Sequence, residues 1–164
     1  MNTGQMMMTI GALLLLSTTM LSVNSNNMMN ESFRDEAQFG LLATSIATSI
    51  IEEAKSKAFD EKTDTMAVTN VNQLTSLINL GPDAGETYDT FDDFDDFDKY
   101  TTVDSTMPSA VFNILCEVDY VTTSNLQGSS SIETWHKKLT VTIASPFMAD
   151  TIRASSIYSY WFFR

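Results

Sequence analysis

From Met6 to Val23 the chain is built of Met, Leu, Ile, Ala and Val with Thr and Ser between them, and no charged residue appears from Met1 to Asn30. That run of 18 residues is close to the ~20 that carry an α-helix across a bilayer core of ~30 Å. Asn24-Ser25-Asn26-Asn27 follows. Asn and Ser compete for backbone hydrogen bonds, so a kink or a melted turn is expected there. From Met28 to Phe59 a helical pattern returns. Phe33, Ala37, Leu41, Thr44, Thr48, Ile51, Ala54 and Ala58 recur three or four apart on one face, widened by Phe39, Leu42, Ile46 and Ile50. Glu31, Arg34, Asp35, Glu52, Glu53, Lys55 and Lys57 fall to the polar side. The stripe is rich in Ala, Ser and Thr and holds Gly40, small enough to let a sheet or a second helix approach the backbone. With no proline before Pro82, both segments read as one helix, roughly 80 Å long at 1.5 Å per residue.

Beyond Phe59 the pattern turns irregular. Thr65 to Val71 predicts a short edge strand, Asn72 to Asn79 fits either a short helix or a strand, and Gly81-Pro82-Asp83-Ala84-Gly85 is a turn cluster. Between Tyr88 and Tyr100, six aspartates interleave with Phe91, Phe94 and Phe97. Repulsion among so many carboxylates disfavours a regular element, so this is a loop pinned by its aromatics, with its aspartates solvated or capping backbone. In Val111 to Val121 the residues Phe112, Ile114, Cys116, Val118 and Tyr120 alternate strictly, the mark of a half-buried strand. Ser124 to Ser131 is a hairpin connection. Leu139, Val141 and Ile143 alternate with Lys138, Thr140 and Thr142 in a second strand that Pro146 ends. Thr151 to Phe163 makes a third, with Ile152, Ala154, Tyr158, Tyr160 and Phe162 on one face. Short connections predict an antiparallel meander of three or four strands whose apolar face covers the small-residue stripe of the helix. The fold class is α+β.

Composition narrows the function. Of 164 residues, those after the apolar segment suffice for one small domain. Its parts are an amphipathic half-helix over 28–59, an acidic loop over 86–100 and a β-meander over 110–164. A net charge of −12 removes the electrostatic driving force for nucleic-acid binding. Cys116, the lone cysteine, closes no intrachain disulfide and reads as a small buried apolar residue. The start lacks the basic n-region of a secretory signal, no A-x-A-like site follows the apolar run, and no cysteine follows it to carry a lipid. A retained segment is therefore expected. No G-x-S-x-G, phosphate loop, dinucleotide fingerprint or Cys/His metal spacing is present. His136, the one histidine, reads as a packing or surface residue. Nothing favours pairing it with Cys116 as base and nucleophile, and no catalytic site is expected. Clustered carboxylates are calcium ligands in principle. Asp92, Asp93, Asp95, Asp96 and Asp98 are the candidates, although D-x-[DN]-x-[DN]-G fails at Phe97 when counted from Asp93.

Three stretches carry a resemblance. Gly4-Gln5 before the apolar run resembles a prepilin processing site. Ala47 to Glu61 is similar to the end of the long helix in pseudopilin-like sequences, and Asp92-Asp93-Phe94-Asp95-Asp96-Phe97 resembles an acidic loop of the same group. The chain thus resembles a type IV pilin-like protein, of the group of pilins and type II secretion pseudopilins. The resemblance implies a pilin-like fold and a leader of residues 1–4 cut after Gly4 by a prepilin peptidase, with Gln5 then N-methylated. It implies that the half-helix of residues 5–27 packs at a filament core through Met6, Met7, Met8, Ile10, Leu13, Leu14, Leu16, Met20 and Leu21. The partners implied are copies of this chain or other pilin-like subunits. The place implied is the inner membrane for the precursor, then a cell-surface or periplasmic filament. Some pseudopilins bind Ca²⁺ in a C-terminal loop, and the resemblance extends that expectation to the acidic run. Gln5 stands where most members have an aromatic. Thr9 stands where most carry a glutamate, which leaves docking to packing alone. The alternative is a monomeric single-pass membrane-anchored binding domain that uses the acidic loop.

Overall fold

The computed structural model describes residues 2–107 and 110–160. Helix α1 runs from Thr3 to Ser56, 54 residues, without interruption. Polar side chains inside its apolar run turn back on the helix: Thr9 Oγ1 donates to Met6 O at 2.9 Å and Ser17 Oγ to Leu13 O at 2.8 Å. Such bonds let hydroxyls sit among apolar neighbours without an unmet partner. No turn melts at Asn24–Asn27, since those residues are helical. Melting a turn there breaks ladder bonds and requires a second, costly nucleation, which outweighs the modest propensity of Asn and Ser.

The chain divides into two units, Met1–Gln38 and Phe39–Arg164. The first is α1 up to Gln38, and none of its described residues is buried. The second opens with the rest of α1 and continues through helix α2 (Glu61–Thr65) and four single 3-10 turns. Four strands follow: β1 (Thr101–Asp104), β2 (Phe112–Tyr120), β3 (His136–Ala144) and β4 (Ile152–Ser159). They form one antiparallel sheet in the order β1-β2-β3-β4. Cys116 pairs with Val141 and Tyr120 with Lys137. The fold is α+β, as the pattern predicts, and its long apolar helix plus small antiparallel sheet is a pilin-like architecture.

Alternation decides the core. Phe112, Ile114, Cys116, Val118 and Tyr120 all point inward from β2, and Leu139, Val141 and Ile143 from β3. Ala43, Ala47, Ile50, Ile51 and Ala54 of α1 join most of these in one cluster, and Ala43, Ala47 and Ala54 are wholly buried. The buried stripe is therefore rotated from the expected one: Leu41 is 75 % exposed, and Thr44 and Thr48 also face outward. Thr44 Oγ1 and Thr48 Oγ1 instead bond the carbonyls of Gly40 and Thr44. A sheet packs closest where side chains are smallest, so the alanines win the inner face over larger residues.

Three further expectations change. α1 ends at Ser56 rather than Phe59, because Ala58 leaves the helix to bridge in parallel with Asp93. Thr65 to Val71 forms no strand. The backbone there is organised by capping boxes, Asp60 with Thr63 and Asn70 with Gln73. Finally, Thr101–Asp104 supplies a first strand ahead of the 110–164 meander. Phe162, expected on the β4 face, lies outside the described residues.

Candidate functional site

The acidic run is a loop pinned by its aromatics, and of its aspartates Asp89 and Asp92 are solvated while the others are not. Phe91, Phe94 and Phe97 are buried, and so are Asp93, Asp95, Asp96 and Asp98. Phe91 and Phe97 meet edge to face at 5.2 Å, and Tyr88 stacks on Tyr100 at 4.9 Å. The Tyr88 hydroxyl reaches back to Glu53 of α1 at 2.5 Å, and burial followed by this carboxylate raises the phenol's pKa.

Within this frame the carboxylates substitute for missing backbone acceptors. Asp93 Oδ1 accepts from the N–H groups of Asp95 (2.7 Å) and Asp96 (3.2 Å), while Asp96 Oδ2 accepts from those of Asp92 (2.9 Å) and Asp93 (3.1 Å). Asp98 accepts from Val118 N of β2 at 3.0 Å and from Lys99 Nζ at 2.6 Å.

Behind the loop lies a side chain that the sequence reading passed over. Lys137, wholly buried at the start of β3, donates to Asp95 Oδ1 at 2.5 Å, to Asp60 Oδ2 at 2.8 Å and to the Phe59 carbonyl at 3.0 Å. An ammonium has three protons, and here each has an acceptor. The Nζ also lies 4.8 Å from the Phe59 ring centroid and 5.3 Å from that of Tyr120. Asp60 is itself held by the N–H groups of Lys62 (3.2 Å) and Thr75 (2.9 Å). The Tyr120 hydroxyl donates to Thr75 O at 2.7 Å, with Asp60 Oδ2 at 3.3 Å. One cation thus joins the sheet, the connection between α1 and α2, and the acidic loop.

Electrostatics sort the carboxyls. Burial, then the charge of Asp95 and a hydrogen bond with it, then the charge of Asp96, push Asp93 up to about 9, against the opposing pull of Lys137. Burial and its acidic neighbours thus favour the protonated form of Asp93. Asp96 is raised by burial despite its two N–H donors. Asp92 and Glu61 are raised by desolvation and then by neighbouring carboxylates.

The five aspartates expected as metal ligands do not converge. Asp95 is committed to Lys137, and Asp98 to Lys99 and β2. Asp92, Asp93 and Asp96 do meet other acids: Glu61 with Asp92 and Asp93, and Glu86 with Asp92 and Asp96, each set with carboxylate oxygens within 4.8 Å. Glu61, Asp93 and Asp96 also border a cleft of about 390 Å³. Cys116 and His136 do not meet. Cys116 belongs to the inner core, where burial pushes its thiol up to about 12, while His136 lies off the core and bonds Ser159 at 2.7 Å.

Gly4 and Gln5 occupy the first helical turns of α1. The residues expected at a filament core, Met6 through Leu21, are 49–80 % exposed wherever they are large and apolar. One sequence signal pointed to Lys137: it shares the parity of Leu139, Val141 and Ile143 and so belongs to the inner face of β3. No protein-family model, curated protein or solved structure matches the chain.

Proposed function

We propose that this chain is the membrane-inserted precursor of a pilus-like or pseudopilus-like filament subunit, processed after Gly4 and assembled through its apolar half-helix. One observation carries the reading. Met6 to Val23 are long and apolar enough to cross a membrane, and none of that segment is buried by the chain itself. A surface of this size needs lipid or other helices. Transfer from lipid to a helix bundle is close to neutral per unit area, so association rests on close packing. Gly11 and the self-bonded Thr9, Ser17, Thr18 and Thr19 supply the small contacts such packing uses. Partners are then other copies or related subunits, with a prepilin peptidase acting first at the inner membrane. The β-sheet unit lies outside the core and performs no catalysis. Mass spectrometry of the native N-terminus tests this: N-methylated Gln5 in sheared filaments is expected, and an intact leader on a detergent monomer refutes it.

A second reading is favoured by the paired carboxylate sets at Asp92. It is a membrane-anchored binding domain that takes Ca²⁺ on Glu61, Asp92 and Asp93 or on Glu86, Asp92 and Asp96. Calorimetry of the full chain with Ca²⁺ is expected to show heat and a rise in Tm, both lost in Asp92→Ala. Silence in both sinks this reading and leaves the filament reading untouched.

A further inference from the structure

We propose that Lys137 and Asp95 condense to an internal isopeptide bond that covalently ties the acidic loop to strand β3. The geometry assembles every part such a step requires. Lys137 Nζ is the nucleophile, wholly buried and in contact with Asp95 Oδ1 at 2.5 Å, so the carboxyl carbon lies one bond beyond the contact. Asp60 Oδ2, 2.8 Å from the same nitrogen, is placed to take a proton from the ammonium and free its lone pair. Asp60 is fixed in that role by the Lys62 and Thr75 N–H groups. Asp93 approaches Asp95 from the loop side, with its own carboxyl oriented by the N–H groups of Asp95 and Asp96. Held beside Asp95 by those N–H groups, the Asp93 carboxyl is placed to assist the departing oxygen.

The step balances without any co-reactant. The ammonium nitrogen forms a bond to Asp95 Cγ, one C–O bond of that carboxyl breaks, and the oxygen leaves with two of the ammonium protons as water. Asp60 and Asp93 relay those protons and end as they began. An ammonium and a carboxylate become one neutral amide, and the Asp60 carboxylate keeps the N–H groups of Lys62 and Thr75. The rings of Phe59 and Tyr120 lie beside the nitrogen, while Asp95 borders the cleft of about 390 Å³, through which the released water can leave. Fixed contact between reacting groups supplies the effective concentration that the uncatalysed reaction in water lacks. The proposal does not depend on filament assembly.

Digestion of the denatured full chain with trypsin tests it. Between Lys62 and Lys138 cleavage sites occur only after Lys99 and Lys137. The expected product is Thr63–Lys99 linked to Tyr100–Lys138, one water lighter than the two separate peptides, uncut after Lys137 and fragmenting at Asp95. Asp93→Asn keeps the loop's acceptor but removes its acid, and it is expected to return both peptides unlinked. Separate peptides of full mass from the wild-type chain, or a link to any other carboxyl, overturn the proposal.

Discussion

The two units of this chain invert each other. Among the described residues of Met1–Gln38 the apolar side chains lie outside and none is buried; among those of Phe39–Arg164 a lysine and five aspartates lie inside. Each unit breaks the usual partition in its own direction. The first holds its backbone and hydroxyls in internal hydrogen bonds and leaves its apolar surface for something beyond the chain. The second folds around charge, and it does so by giving nearly every buried carboxylate a backbone N–H or a lysine. The same rule governs both: a group removed from water must find its partner within the protein.

The comparison breaks most sharply at Lys137. Lys137→Met keeps most of the volume and leaves Asp60 and Asp95 buried without their cation. Removing one partner of a buried pair costs about 3–5 kcal/mol, and any covalent tie is lost with it. The second unit is expected to lose most of its cooperative unfolding transition, while the helicity of the first persists. Lys137→Met combined with Asp60→Asn and Asp95→Asn is expected to recover much of that loss, as measured by denaturant titration in detergent. A single mutant as stable as the wild type removes charge from the account of this core.

The opposite change belongs in the first unit. Leu14→Arg places a charge in the exposed apolar run, at a side chain that is 63 % exposed. A charge at the centre of a spanning helix costs about 2.5–3.5 kcal/mol. Liposome association is expected to fall accordingly, with the unfolding midpoint of the sheet unit unmoved. If the midpoint shifts instead, the segment is packing against its own protein.

How legible each unit was follows from the same contrast. The apolar helix and β2 to β4 follow from periodicity, because their side chains obey a repeat of 3.6 or 2. The rotated stripe did not, since Leu41 and Ala43 compete for the inner face and only the packing distance to the sheet decides. The buried carboxylates were opaque for a different reason. Asp60, Asp93 and Asp96 are inside because of which N–H groups their turns leave open, a property of three-dimensional turns with no spacing of its own. The stripe is tested by Ala47→Leu. At a wholly buried helix position facing β2 and β3 it is expected to cost about 1–3 kcal/mol by overpacking, whereas the same substitution at exposed Thr48 is nearly silent.

The smallest effect, and the finest, concerns the proton on Asp93. Its pKa is about 3.8 when unfolded and is pushed up to about 9 when folded, first by desolvation, which persists whether or not Asp95 is linked to Lys137. Folding therefore takes up a proton throughout that interval. The stability Asp93 contributes is fully present below its unfolded value and declines as pH rises, until it is gone above the folded one. Asp96, Glu61 and Asp92 are raised as well and act with the same sign. Asp104, lowered by the Thr106 N–H and hydroxyl, acts oppositely and loses its contribution as pH falls through its folded pKa. Unfolding followed between pH 5 and 9 is expected to show stability decreasing with pH, and Asp93→Asn to flatten that slope. The wild-type unit gaining stability across this range would mean that Asp93 is ionised in the fold, and the inside of this unit would then be more charged than its turns can hold.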